Sequence, residues 1–262
     1  MLKKFVLIRD FIARISGSNK RCYADFSRQG EKSVFYAGEK QNTTARGNMM
    51  KFVMSYSCGK DSTLALHKMI ADGHIPVGLL VVFSKQTGRS FCHGATRDLL
   101  ERYAAALEIP LILCASDGQD YPAAFEKGLQ KAVQCGAEAA CFGDIDLDEH
   151  KIWGEERCRN AGLLPVFPLW QKNRTEAVHE FLALGYQCVI KTVNKNLLPR
   201  DLLGRRLDGE VLKIMAGCGI DICGENGEYH TLAVDGPVFK KPLEYHMGEI
   251  LDLGDYPVID IF

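Results

Sequence analysis

The stretch Ser55-Tyr56-Ser57-Cys58-Gly59-Lys60-Asp61-Ser62 joins an apolar run, Phe52-Val53-Met54, to a helical pattern that begins at Thr63. The run reads as a buried parallel strand, and the following residues place Leu66, Met69 and Ile70 on one helical face. A strand, a tight turn and a helix in that order aim free backbone N–H groups and the positive end of a helix dipole at one spot, where a phosphate can sit. A Walker A loop is excluded, because Met54 and Ser55 stand where its first glycine belongs and Asp61 follows Lys60. A left-handed backbone costs a non-glycine residue about 1–2 kcal/mol, so Cys58 is expected in an ordinary conformation and Gly59 in the special one.

From Met50 onward, apolar runs alternate with helical patterns. That is the pattern of an α/β fold, a doubly wound parallel sheet covered by helices on both faces. Strands are predicted at residues 52–55, 77–83, 111–114, 139–142, 166–169 and 186–192, and helices near 62–72, 95–107, 121–135, 148–160 and 174–184. Gly73, Gly136, Gly162 and Gly185 are expected to end four of the helices in the left-handed conformation. Right-handed crossovers then bring the strand C-termini to the edge where the Ser57 turn lies. After Thr192 the character changes: residues 194–199 read as a loop, 202–207 and 211–216 as helical, and the remainder as short strands broken by Gly and Pro. Residues 50–192 are therefore expected to form the main unit and 193–262 a smaller α+β subdomain.

The net charge is −1 over 262 residues, but residues 1–48 carry ten Lys/Arg against four Asp/Glu, leaving 22 against 29 for the rest. The balance is thus +6 and −7, and the acidic main part argues against a nucleic-acid surface. Residues 1–48 read as a disordered or non-native extension, with Met49-Met50 just before the first strand. Their four acidic residues argue against a transit peptide. None of the ten cysteines pairs as Cys-x-x-Cys, which points to reduced residues in a cytoplasmic protein rather than to a disulfide framework or a zinc site. No apolar run approaches the roughly 20 residues of a membrane span.

Two further stretches fit the active edge. Gly143-Asp144-Ile145-Asp146 follows a buried run, so Asp144 and Asp146 stand where a metal or a cationic substrate is held. Asp148 and Glu149 read more simply as the acidic first turn of the next helix. Cys223-Gly224-Glu225-Asn226-Gly227-Glu228-Tyr229-His230-Thr231 has two glycines three apart, which permit a tight loop. It presents Glu225, Glu228 and His230 as candidates for acid-base work.

Residues 57–62 resemble the Ser-Gly-Gly-Lys-Asp-Ser loop of the ATP pyrophosphatases, which split ATP between its α and β phosphates; Cys58 is the one departure. Taken with residues 224–229, the loop resembles the diphthine-ammonia ligase family, whose Gly-Glu-Gly-Gly-Glu-[Tyr/Phe] pattern is followed by a threonine matched here by Thr231. Agreement extends to His93, Ile109-Pro110-Leu111, Pro168-Leu169-Trp170, Leu203-Gly204-Arg205 and Asp235-Gly236-Pro237. The resemblance implies an adenine-nucleotide α-hydrolase fold that uses ATP with Mg²⁺. It implies a nucleotide site of Ser55, Ser57, Cys58, Gly59, Lys60, Asp61, Ser62, Phe83, His93, Gly143 and Asp144, with Asp61 and Asp144 toward the metal. Lys60, Asp61, Glu225, Glu228 and His230 would be the catalytic set. The implied reaction converts diphthine on a translation elongation factor, with ammonium and ATP, into an amide, AMP and pyrophosphate.

The departures bear on the acceptor. Glu149-His150 and Trp153-Gly154-Glu155 stand where the family has Tyr-Gln and then Arg-x-Glu, so only Glu155 matches. Asn226 replaces a usual Gly, and His230 a frequent Glu. These point to a divergent branch, for which a small carboxylic acid is an alternative acceptor. Two other readings stand beside the ligase: another adenylating enzyme of the superfamily, acting on a metabolite or on tRNA, and a nucleotide-binding regulatory module. Homo-oligomerisation is left open by the sequence.

Overall fold

The computed structural model describes residues 49–91 and 93–262, so the expectations for residues 1–48 lie outside the described residues. Strands β1 (Lys51–Ser55), β2 (Ile75–Ser84), β3 (Leu111–Ser116), β4 (Ala139–Cys141) and β5 (Leu164–Val166) form a parallel sheet in the order β3-β2-β1-β4-β5. Helices α1 (Lys60–Ala71), α2 (Arg97–Leu107), α3 (Tyr121–Gln134) and α4 (Asp148–Ala161) connect successive strands.

Strand side chains alternate between faces, and here both faces are apolar. Phe52, Met54, Leu79 and Val81 pack with Leu64 and Leu66 of α1 and Leu99 and Tyr103 of α2. Val53, Leu80 and Val82 lie in the opposite core with Phe125 and Leu129 of α3 and Cys158 of α4. The chain leaves β1 toward β2 and leaves β4 toward β5, on opposite sides of the sheet centre. The loops after β1 and β4 therefore flank a crevice at the strand C-termini, where open α/β sheets bind ligands. Gly73, Gly136, Gly162 and Gly185 all have positive φ, as expected from their helix-ending positions.

The sixth strand corrects the sequence reading. β6 (Gln187–Val193), reached through helix α5 (Arg174–Ala183), belongs not to the parallel sheet but to a second, antiparallel one. Its partners are β7 (Tyr229–Asp235), β8 (Met247–Leu251) and β9 (Val258–Ile261), in the order β7-β6-β9-β8. A continuous apolar strand looks the same in sequence whichever sheet buries it. The strand expected at 166–169 lies earlier, as β5, and residues 202–207 are not helical. A 3₁₀ turn at Arg200–Leu202 is followed by Gly204 at φ 78°, after which the backbone runs along β6, with Gly204 N–H on the Ile190 carbonyl and Leu207 N–H on the Cys188 carbonyl. The helix expected at 211–216 is present as α6 (Gly209–Gly217), with Asp208 accepting from the N–H groups of Glu210 and Val211. No helix of the described residues is long and apolar enough to cross a membrane.

The two sheets share a core. Leu232 and Ala233 of β7 and Val189 and Ile190 of β6 join the cluster under α1 and α2. Fully buried Tyr103 of α2 donates to the Ala233 carbonyl at 2.6 Å. Tyr103→Phe keeps the ring and deletes this bond, so it should lower stability in urea unfolding by about 1–2 kcal/mol. An unchanged midpoint would show that the hydroxyl does not join the sheets.

Candidate active site

The turn after β1 is built differently from its sequence expectation. Cys58 holds the left-handed conformation at φ 69°, whereas Gly59 is extended at φ −83° and ψ 173°. Position 59 needs glycine for space instead: a Cβ there would lie 2.4 Å from Cε1 of His93. Gly59 has no side chain to cap α1, which leaves the start of the helix to be met by other groups. Ser57 Oγ and Ser62 Oγ are 3.0 Å apart, and the Ser62 and Thr63 hydroxyls donate to the Gly59 carbonyl at 3.1 and 2.9 Å.

A second loop and β7 close over this turn. Lys60 N–H donates to Thr231 Oγ1 at 3.2 Å, and Ala233 N–H donates to the Cys58 carbonyl at 2.8 Å. The Lys60 ammonium, only 5 % exposed, donates to Asp61 Oδ2 at 2.8 Å and to the Cys223 carbonyl at 2.5 Å, and it lies 5.4 Å from the centre of the Tyr229 ring. Burial pulls its pKa down, but Asp61 beside it outweighs burial and raises it well above the usual lysine range. Burial pushes the Cys223 thiol up to about 12. It stays protonated and faces Asp61 Oδ1 at 3.9 Å. The eight cysteines whose placement is described are free thiols.

On the other side of the crevice, Gly143 meets the first turn of α1, where a Cβ would lie 2.7 Å from Ser62 N. Backbone packs on backbone here, so no larger residue fits without displacing the helix start. Asp144 Oδ1 lies 2.9 Å from His150 Nδ1, and Asp144, His150 and Glu225 each place a ligand atom within 4.8 Å of the others. Arg174, at the start of α5, binds Asp146 through two nitrogens at 2.6 and 2.7 Å, Asp221 at 2.6 Å and Asn226 Oδ1 at 3.2 Å. Hydrogen bonding to Asp146, against burial and aided by Asp221, holds its pKa above the usual arginine value. One guanidinium thus ties the loop after β4 to the loop before β7.

The predicted residues fall into four groups. The 57–62 turn, His93, Gly143 and His230 gather at the crevice, with the His93 and His230 rings 5.0 Å apart. Asp144 and Glu225 stand together beside it. Glu228 is turned into its own loop, accepting from Asn226 N–H at 3.0 Å and from Asn226 Nδ2 at 3.1 Å. Ser55 ends β1 and pairs with Leu80, while Phe83 lies further along β2, bridged to Ser90. Sequence reasoning missed His150, read only as a departure, and Arg174, which carries no local signal. It also gave Thr231 no role beyond a pattern match.

This architecture defines the class: a Rossmann-like α/β protein whose glycine-lysine turn is covered by an antiparallel subdomain. Residues 50–165 match the diphthamide synthase N-terminal domain and residues 173–261 the diphthamide synthase C-terminal domain, and the chain belongs to that family. Diphthine-ammonia ligase of Homo sapiens is 26% identical over 227 residues, covering 77% of this chain and 85% of the relative. That of Rattus norvegicus is 26% identical over 220 residues, covering 74% and 82%. The Schizosaccharomyces pombe enzyme is 26% identical over 225 residues, which span 78% of this chain and 37% of the relative, so there the match is one part of a longer protein.

The strain at Cys58 is measurable. Cys58→Ala and Cys58→Gly both remove the buried sulfur, but only glycine relieves the left-handed backbone. The glycine variant should therefore be the more stable of the two by about 1 kcal/mol, after its greater unfolded-state entropy is counted. Equal stability in denaturant titration would contradict a strained turn.

Proposed function

We propose that the protein is an ATP-dependent amide ligase of the diphthine-ammonia type, which activates a carboxylate by adenylation and transfers ammonia to it. The observation that carries the reading is the double engagement of Lys60, whose backbone and ammonium are both held by the Cys223 to Thr231 segment. A phosphate-type turn and an acid-rich loop thereby share one crevice. Family membership supports the same reading.

A carboxylate is a poor acyl donor, so its oxygen attacks the α-phosphorus of ATP and pyrophosphate leaves. The departing charge is met by the amides of Asp61 and Ser62 in the first turn of α1, the Lys60 N–H being held by Thr231, by the Ser57 and Ser62 hydroxyls, and by the Lys60 ammonium. Two of the three ammonium hydrogens of Lys60 go to Asp61 and the Cys223 carbonyl, leaving the third for a phosphate oxygen. Asp61, with 26% of its side chain exposed beside Lys60, suits Mg²⁺, which binds through one or two carboxylates plus phosphates and neutralises their charge. Ammonia then attacks the acyl carbon and AMP departs. Glu225 and His230 handle the ammonium or its proton, while Glu228 shapes the loop that carries them. Diphthine on an elongation factor is the acceptor by family likeness. A small carboxylic acid is the second reading, favoured by His150, one of the departures from the family pattern, which pairs with Asp144 at 2.9 Å.

Incubation with ATP, ammonium and a panel of acids should yield AMP and pyrophosphate. Production of ADP and orthophosphate would rule the reading out. Lys60→Ala should weaken ATP binding and abolish turnover together. Glu225→Gln should leave ATP affinity near wild type in calorimetry while turnover falls by roughly 10²–10⁴, the range for loss of an acid-base group. Normal turnover by Glu225→Gln would remove the second loop from the chemistry.

A further inference from the structure

His93 is carried by residues 85–96, the connection between β2 and α2. Its ring closes on the glycine-lysine turn: a Cβ on Gly59 would lie 2.4 Å from its Cε1, and the His230 ring stands 5.0 Å away. The connection folds on itself, with Ser84 N–H on the Arg89 carbonyl, Ser90 N–H on the Ala95 carbonyl and Gly94 N–H on the Ser90 carbonyl, at 2.8, 2.8 and 3.1 Å. Such bonds shape a loop without fixing it on its neighbours, and a ring carried by a loop is placed only as well as that loop is anchored.

Arg89 supplies an anchor in the second sheet. Its Nη1 donates to Asp260 Oδ1 at 2.7 Å and to the Gly94 carbonyl at 3.0 Å, and its Nη2 donates to Asp260 Oδ2 at 3.2 Å. One guanidinium thus spans the residue after His93 and strand β9, by a fork that the point charge of a lysine does not reproduce. With the two side chains 25% and 22% exposed, the pair is partly withdrawn from solvent and is screened less than a surface pair. Asp260 is a firm anchor, because β9 is an inner strand, paired with β6 on one side and β8 on the other. Lys191 of β6, 1 % exposed, donates to the carbonyl of Ile259, the residue before Asp260, at 3.2 Å. Burial pushes the Asp260 carboxyl up, but the bonds and charge of Arg89, with Lys191 behind them, outweigh burial and hold it below the usual carboxylate range.

The geometry points to Arg89 as a positioning residue of the site: it clamps the Gly94 carbonyl to Asp260 and thereby holds the His93 imidazole on the turn at Gly59. Arg89 acts through His93, whose ring covers the turn where the phosphates of ATP are proposed to bind. Its effect on ATP rests on the proposed function; the placement of the ring does not. Each of three loops at the strand C-termini is then held from the antiparallel side of the molecule: the turn after β1 by Ala233, the loop after β4 by Arg174 through Asp221, and the loop after β2 by Asp260.

The test uses the full chain and reads the ring directly. In the wild type, nuclear Overhauser spectra should connect the His93 Hε1 proton to the Gly59 α protons, one of which points at Cε1. Arg89→Ala and Asp260→Asn should each lose that connection while keeping one cooperative melting transition. In calorimetric titration with ATP and no acceptor acid, Arg89→Ala should bind about 10-fold more weakly than wild type, but the same change made in His93→Ala should cost less than about 2-fold, because no ring is left to place. A ring that keeps its contact with Gly59 in both variants, or that lacks it in the wild type, overturns the inference, as does an equal loss of ATP affinity in the two backgrounds. Absence of ATP binding by the wild type would instead refute the proposed function, and the Overhauser spectra would still decide the role of Arg89. Should Arg89→Ala not fold, the near-isosteric Asp260→Asn decides the matter on the same two readouts.

Discussion

Strand β7 grips the turn that follows β1, and the rest of the site depends on that grip. Ala233 N–H holds the Cys58 carbonyl, and Thr231 Oγ1 receives the Lys60 N–H. Each such bond is worth about 0.5–1.5 kcal/mol net, so the pair offsets the roughly 1–2 kcal/mol of a left-handed non-glycine residue at 58. The strained turn is thus a tertiary product: it persists because a strand from the second sheet over-determines it. The same contact places the Gly224 loop above Lys60.

Two other contacts make the crevice one object rather than two facing surfaces. Gly143 lets the loop after β4 approach the first turn of α1 backbone to backbone. Arg174 then joins that loop to the one before β7, through Asp146 on one side and Asp221 and Asn226 on the other. Asn226, a departure from the family's glycine, has no positive φ, and its side chain serves both Glu228 and Arg174. The substitution therefore spends a side chain on the latch where a glycine has none to offer.

What was legible in the sequence was local. The strand-turn-helix at 52–70, the alternation of apolar runs and the four glycines ending helices follow from periodicity and steric rules, which act within a few residues. What was not legible was set by contacts between distant segments. Nothing near Gln187–Val193 says which sheet that strand joins. The steric rule assigned the special backbone to Gly59, but the space beside His93 and the pull of β7 decided otherwise. Glu228 looked like a free carboxylate because its partner is the loop's own backbone. His150 and Arg174 acquire meaning only when Asp144, Asp146 and the Gly224 loop are brought to them by the fold.

In the proposed reaction the turn and the second loop cooperate to adenylate a carboxylate. Its most direct test is isotopic: the acid that supports AMP formation is labelled with ¹⁸O in both carboxylate oxygens, and the products are weighed by mass spectrometry. Attack of the carboxylate on the α-phosphorus requires one ¹⁸O to appear in AMP, because that oxygen stays with phosphorus when ammonia displaces the acyl group. Label in orthophosphate, or AMP without label, would contradict the account.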